Sequence, residues 1–99
     1  MLDINKTKNG NELVVALCGR LDTTTAPTLE SELKSSLDGI ESLTFDMNEL
    51  QYISSAGLRV LLSAQKIMNK QGKMVVKGAS EDVKEIFDVT GFSDILTIE

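Results

Sequence analysis

Histidine is absent from this chain, and its absence removes several classes of chemistry. The 99 residues contain no histidine, no tryptophan and a single cysteine, Cys18. A Ser-His-Asp triad, a Cys-His dyad and any metal site with imidazole ligands are therefore excluded. One cysteine can form neither an intramolecular disulfide nor a metal-binding cluster. We expect a protein that is not an enzyme, with no catalytic residues, no metal and no cofactor.

Positive charge is also scarce. Ten Lys and Arg residues face 15 Asp and Glu residues, which gives a net charge of −5 and a pI near 4.7. Binding to nucleic acid or to an anionic membrane surface requires basic patches, so neither partner is expected. The first residues lack the pattern of a signal peptide, and no run approaches the ~18 apolar residues of a membrane span. We therefore expect a cytoplasmic protein, and binding to a basic surface of another protein stays open.

The first third of the chain predicts a β-hairpin followed by a helix. The turn signal "NGN" at Asn9–Asn11 is typical of two antiparallel strands joined by a tight loop. The nearly continuous apolar run Leu13–Cys18 indicates a strand buried on both faces, with Cys18 as a small buried side chain. A helix is expected at about Ala26–Leu37, with one of the preceding threonines, Thr23–Thr25, as its N-cap.

The remaining elements alternate between strands and helices. A short strand, "SLTFDM", leads to a helix at about Ala56–Lys70, and a strand, "KMVVKG", leads to a helix capped by Ser80. A last strand is expected in "DILTIE". The order ββαβαβαβ predicts an α/β fold with a mixed, mostly parallel sheet of about five strands and helices packed on it. Length and pattern predict a single domain over residues 1–99.

Two adjacent serines at the start of the second long helix leave two interpretations open. Either Ser54 or Ser55 can be the N-cap, but no Glu or Gln completes a capping box. Gly57 in the first turn costs about 1 kcal/mol relative to alanine, and it leaves room for a ligand or a partner backbone. The serine pair is therefore a structural cap, or one of its hydroxyls is functional at a helix end that favours phosphate.

Two leucines on the same helix are equally ambiguous. Arg59, Ser63, Lys66 and Lys70 form one polar stripe of the helix. Leu58 and Leu62 lie one turn apart beside this stripe. Either another element covers them, or they form an exposed apolar patch for docking.

The motifs together resemble the STAS domain family (sulfate transporter and anti-sigma factor antagonist). The resemblance rests on "YISSAGLRVLL" after a strand ending at Asp46, on "LCGRLDTTTAPTLE", and on "GKMVVKGASEDVKEIFDVTGF". It covers essentially the whole chain. The stand-alone length is similar to that of the bacterial anti-sigma factor antagonists.

This resemblance implies a partner-switching role. The family's phosphorylated serine, two residues before the glycine, corresponds to Ser55, and Asp22 matches a loop aspartate near it. The implied partners are an anti-sigma factor serine kinase, which binds the unphosphorylated form, and a PP2C-type phosphatase, which restores that form. The partner-binding residues implied or inferred are Asp22, Thr24, Ser54, Ser55, Gly57, Leu58, Arg59 and Leu62.

Two alternatives to this role stay open. Where many family members read Asp-Ser-Ser-Gly, this chain has Ser54 before the acceptor and Ala56 after it, so Ser54 competes locally as acceptor. A constitutive STAS scaffold subunit of a transporter or signalling complex would use Ser55 only as a cap. A nucleotide- or anion-binding domain would use the helix N-terminus itself. We expect a monomer when the protein is free.

Overall fold

Four strands and three helices form the chain in the computed structural model, which describes residues 2–99. The strands are β1 (Leu2–Asn9), β2 (Glu12–Leu21), β3 (Ser42–Ile53) and β4 (Lys73–Lys77). The helices are α1 (Ala26–Ser36), α2 (Ser55–Gln71) and α3 (Glu81–Thr90), and a 3-10 turn covers Phe92–Asp94. The sheet order is β1-β2-β3-β4, with β1 antiparallel to β2 and the other pairs parallel. The predicted α/β fold with a mixed, mostly parallel sheet is confirmed.

The predicted hairpin is present. Asn9 and Glu12 are register partners, so Gly10 and Asn11 form a two-residue loop. Gly10 has φ +65°, a conformation that costs other residues more than glycine and that tight hairpin turns require. The turn therefore fixes the register of the whole β1–β2 pair.

Only one face of the sheet is buried. Leu13, Val15 and Leu17 of β2 lie in the core, whereas Val14 is 38% exposed and Cys18 is half-buried. The prediction of a strand buried on both faces, with a buried Cys18, is wrong. Right-handed crossovers in the same direction place α1 and α2 over the same face, so the opposite face faces solvent.

The expected fifth strand is reduced to one bridge. The Val76 N–H donates to the Thr97 carbonyl, and the Glu99 N–H donates to the Val76 carbonyl, each at 2.8 Å. The residues before them form the 3-10 turn, because Gly91 ends α3 in a left-handed conformation with φ +81°. The start of α3 agrees with prediction, since the Ser80 hydroxyl accepts a hydrogen bond from the Val83 N–H at 3.2 Å.

Strand β3 is longer than predicted, so Asp46 does not end it. The strand continues to Ile53 through two register shifts against β2, while β4 accompanies it only as far as Asp46. The Asp46 carboxylate accepts hydrogen bonds from the backbone and side chain of Asn48, at 3.0 and 2.7 Å. This contact fixes the local backbone where β4 ends.

The first turn of α2 packs closely on the ends of β2 and β3. A Cβ atom on Gly57 would lie 2.7 Å from Leu21 Cγ and 2.9 Å from Ile53 Cγ1. Both neighbours are fully buried. The interpretation of Gly57 as room for an outside partner is therefore wrong, because the missing side chain would point into the core.

Replacing Gly57 tests this packing. We expect Gly57→Ala to lower the free energy of unfolding by up to about 2 kcal/mol, since overpacking costs about 1–3 kcal/mol and helix propensity returns about 1 kcal/mol. Urea unfolding followed by circular dichroism measures the change. Ser63→Ala, at an exposed position of the same helix, should stay within about 0.5 kcal/mol of the parent. A Gly57→Ala variant that gains the full ~1 kcal/mol of helix propensity would contradict the packing argument.

Candidate functional site

The carboxyl ends of β2 and β3 lie side by side. Leu21 and Ile53 are register partners, and the Ser54 N–H donates to the Leu21 carbonyl at 2.8 Å. The residues that follow each strand therefore share one edge of the sheet, where the loops of parallel strands collect. This edge brings together four of the predicted residues: Asp22, Thr24, Ser54 and Ser55.

The two serines occupy different positions at the start of α2. Ser54 is the N-cap: its hydroxyl accepts from the Gly57 N–H at 3.4 Å, and its carbonyl accepts from the Leu58 N–H at 2.9 Å. Ser54 is half-buried. Ser55 is the first residue of the helix, and it is exposed. The sequence left the choice of cap open, and the geometry assigns it to Ser54.

The helix N-terminus at Ser55 favours an anion. The first N–H groups of a helix, here those of Ser55 and Ala56, have no acceptor within the helix, and the helix dipole adds positive charge. Arg59 lies one turn further along and is exposed. Free N–H groups at a helix N-terminus are ready hydrogen-bond donors to a phosphate.

The loop after β2 is organised around the carboxylate of Asp22. Its Oδ1 atom accepts from the Thr24 hydroxyl at 2.7 Å, from the Thr24 N–H at 3.0 Å and from the Thr25 N–H at 3.1 Å. The hydrogen bond from the Thr24 hydroxyl is the main reason that the pKa of Asp22 lies below its usual value of 3.8, and the two backbone N–H groups lower it further against an opposing effect of burial. Asp22 is therefore ionised at neutral pH.

The predicted threonine cap of α1 is not formed by a side chain. Thr25 occupies the N-cap position, but its hydroxyl makes no hydrogen bond to the helix. The hydroxyl accepts from the Asp22 N–H at 2.8 Å and donates to the Arg20 carbonyl at 2.9 Å. Thr25 therefore ties the loop back to β2, and the Asp22 carbonyl accepts from the first helical N–H, that of Ala26, at 2.8 Å.

Sequence reasoning missed Arg20 and Tyr52. They are register partners at the ends of β2 and β3, and the Arg20 guanidinium lies 4.4 Å from the centre of the Tyr52 ring. The Arg20 Nε atom is also 3.9 Å from Asp22 Oδ2. Each residue stands just before a motif residue, in "GRLD" and "YISS", so aligning the two strand ends would have paired them.

The two ambiguous leucines differ in exposure. Leu58 is only 4% exposed and belongs to the core, so the prediction that it forms part of an exposed docking patch is wrong. Leu62 is half-buried and remains at the surface. Because Ser55, Arg59 and Leu62 are spaced i, i+4 and i+7, they lie along one side of α2.

A shallow groove runs beside this side of α2. It lies between the first turns of α1 and α2, next to Ser55. Its lining residues are Thr23, Ala26, Pro27, Glu30, Ala56, Arg59 and Val60. Sequence reasoning placed only Arg59 of this set at the site, because the groove depends on how α1 packs against α2.

Within residues 2–99, no helix is long and apolar enough to cross a bilayer.

Comparison with known proteins places this geometry in a family. A sequence model of the STAS domain matches residues 3–99. The protein BtrV of Bordetella bronchiseptica is 38% identical over 88 residues, which cover 87% of this chain and 76% of that protein. The anti-sigma-B factor antagonist of Listeria monocytogenes is 31% identical over 97 residues, which cover 95% of this chain and 84% of that protein.

Solved structures share the fold. The crystal structure of an anti-sigma factor antagonist from Mycobacterium paratuberculosis superposes with a TM-score of 0.89 at 20% identity, covering 99% of this chain and 85% of that one. The anti-sigma factor antagonist SpoIIAA of Bacillus gives TM-scores of 0.76 in its unphosphorylated form and 0.75 in its phosphorylated form, at 12% and 13% identity. These two matches cover all of this chain and 87% and 91% of the SpoIIAA chains. The match over residues 3–99, together with the relative in Bordetella, shows that the chain belongs to the STAS domain family.

Proposed function

We propose that this protein is an anti-sigma factor antagonist that acts by partner switching, with Ser55 as its phosphorylation site. In this proposal the unphosphorylated protein binds an anti-sigma factor serine kinase. Phosphorylation of Ser55 releases the kinase, and a PP2C-type phosphatase restores the binding form. The observation that carries the proposal is the exposed hydroxyl of Ser55 on the first residue of α2, beside the ionised Asp22.

The choice of Ser55 over Ser54 rests on accessibility and on hydrogen bonding. The Ser54 hydroxyl already accepts from the Gly57 N–H, and its side chain is half-buried between the strand end and the helix. Phosphorylating it would remove an N-cap worth about 1 kcal/mol. The Ser55 hydroxyl is exposed, so a kinase can reach it without opening the helix.

In this proposal the charge of the phosphate on Ser55 controls binding to the partner. A phosphate adds about −1.5 to −2 charge at neutral pH. At a protein interface centred on Ser55, Arg59 and Leu62, this dianion would lie near Asp22 and would have to be desolvated or to face acidic groups of the partner. Both effects weaken binding, and neither requires a change of fold.

The comparison with SpoIIAA supports a local switch. The fold of this chain is equally similar to the unphosphorylated and the phosphorylated structures of that protein, with TM-scores of 0.76 and 0.75. A common fold in both states is what an electrostatic switch at a helix terminus requires.

Phosphate mapping tests the assigned serine. Incubation with ATP and each serine kinase of the anti-sigma factor type from the same genome should place one phosphate on Ser55, as located by mass spectrometry. Ser55→Ala should abolish the modification. Ser54→Ala should retain it, although loss of the cap lowers the free energy of unfolding by about 1 kcal/mol. Phosphate on Ser54, or no modification by any of these kinases, would contradict the proposal.

A charge mimic tests the release step. Ser55→Asp should weaken binding to the kinase that modifies Ser55 by about tenfold or more, a loss of about 1.4 kcal/mol measured by titration calorimetry. Ser63→Asp introduces the same charge at an exposed position two turns along α2 and should change the affinity by less than about twofold, because surface charges interact weakly. Equal binding by Ser55→Asp and the parent would favour the constitutive scaffold instead.

The Asp22 loop gives a prediction about pH. Because folding lowers the pKa of Asp22 below 3.8, its ionised form stabilises the fold above that pH, and the contribution is lost as the pH falls through the lower, folded value. Asp22→Asn should therefore be less stable than the parent at pH 7, and the difference should shrink in acid. Urea unfolding across this pH range measures the difference.

The control for this prediction is a second acidic residue. Asp38 is exposed after α1, and Asp38→Asn should cost less stability at pH 7 than Asp22→Asn. A difference between the parent and Asp22→Asn that stays constant from neutral pH into acid would mean that ionisation of Asp22 does not hold the loop.

A further inference from the structure

The negative charge of the chain is concentrated at one end of the sequence. Residues 81–99 contain six acidic residues and one lysine, a formal charge of −5. This equals the net charge of all 99 residues, so residues 1–80 are electrically balanced, with nine acidic and nine basic side chains. Helix α3 carries four of the six acidic residues.

Helix α3 also exposes apolar surface. Val89 is 80% exposed, the highest value among the exposed large hydrophobic residues, and Ile86 is half-buried. Asp82, Glu85, Ile86 and Val89 are spaced i, i+3, i+4 and i+7, so they share one face, and with Thr90 they line a shallow depression. The opposite face holds the helix to the core through the fully buried side chains of Val83 and Phe87.

The stability of α3 does not explain why acidic and apolar residues share its outer face. Asp82 lies in the first turn, where the helix dipole favours an acid, but Glu85 lies beyond it. Among residues 2–99, no Lys or Arg nitrogen lies within ion-pair distance of either carboxylate. Exposing the apolar side chain of Val89 to water does not stabilise the protein. Free acids beside an exposed apolar side chain match a partner that brings lysines or arginines together with apolar groups.

We propose that the outer face of α3, formed by Asp82, Glu85, Ile86 and Val89, docks an amphipathic basic helix of a partner protein. Val89 and Ile86 receive the apolar side chains of that helix, and Asp82 and Glu85 pair with its lysines or arginines. The contact is helix against helix, and the side chains at i, i+3, i+4 and i+7 of α3 set its register.

The docking face is separate from the edge that carries Ser55. Strand β4 ends beside Asp46, whereas β3 continues to Ile53 before reaching Ser55, and residues 97–99 return parallel to β4. Helix α3 must therefore run back toward the other edge, and its 10 residues span ~15 Å. Val89, near the end of α3, lies away from Ser55. The inference therefore does not depend on phosphorylation of Ser55.

A synthetic amphipathic peptide of leucine and lysine, added to the isotope-labelled full chain, tests this face. Amide chemical-shift changes should cluster on α3 around Glu85 and Val89, and a leucine–glutamate peptide of the same pattern should cause none. Val89→Ser and Glu85→Lys should each weaken binding of the leucine–lysine peptide by about tenfold. Both positions are exposed, so the variants should fold, as circular dichroism will verify.

The matched control separates docking from general attraction between opposite charges. Asp38→Lys makes the same change of charge at an exposed loop position and should alter the affinity by less than about twofold. Equal losses in Glu85→Lys and Asp38→Lys, or shift changes spread over the surface or centred on Ser55, would overturn the proposal. So would a dimer of the chain alone, seen in sedimentation equilibrium and abolished by Val89→Ser, because the face would then belong to a second copy.

Discussion

The hydrogen bond from the Ser54 N–H to the Leu21 carbonyl, at 2.8 Å, is the constraint on which the site depends. It joins the end of β2 to the start of α2, directly above the buried pair of Leu21 and Ile53. Gly57 lets the first helical turn sit this low on the sheet, because any side chain there would collide with both residues. With the backbone held in this way, the Ser54 hydroxyl becomes the cap and the Ser55 hydroxyl is left at the surface.

The same strand end organises the neighbouring loop. Leu21 is followed by Asp22, whose carboxylate accepts hydrogen bonds from the N–H groups of Thr24 and Thr25. These bonds fix the backbone that leads into α1. Two helices therefore begin at one edge of the sheet, one beside an ionised carboxylate and the other at an exposed serine. A change of charge at Ser55 would therefore fall on an exposed edge, and the contacts that hold the start of α2, to Leu21 and Ile53, lie buried beneath it.

Features that depend on neighbouring residues in the sequence could be predicted, and features that depend on packing could not. The hairpin at Gly10 and the cap at Ser80 follow from turn and capping chemistry, and both are confirmed. The exposure of one face of β2 could not be predicted from the sequence, since Val14 suits a strand whether or not a helix covers it. Gly57 was misinterpreted for the same reason: sequence shows that a side chain is missing, but not on which side it would have lain.

Screening by salt limits how the two ends of the molecule can influence each other. The Debye length at physiological ionic strength is about 8 Å, whereas α3 alone is ~15 Å long and runs away from the edge that carries Ser55. A phosphate on Ser55 would therefore act strongly on charges at its own edge, such as Asp22 and Arg59, and only weakly on the far end of α3. Electrostatic coupling between the two surfaces is therefore weak, and a partner that touches both surfaces would couple them more strongly.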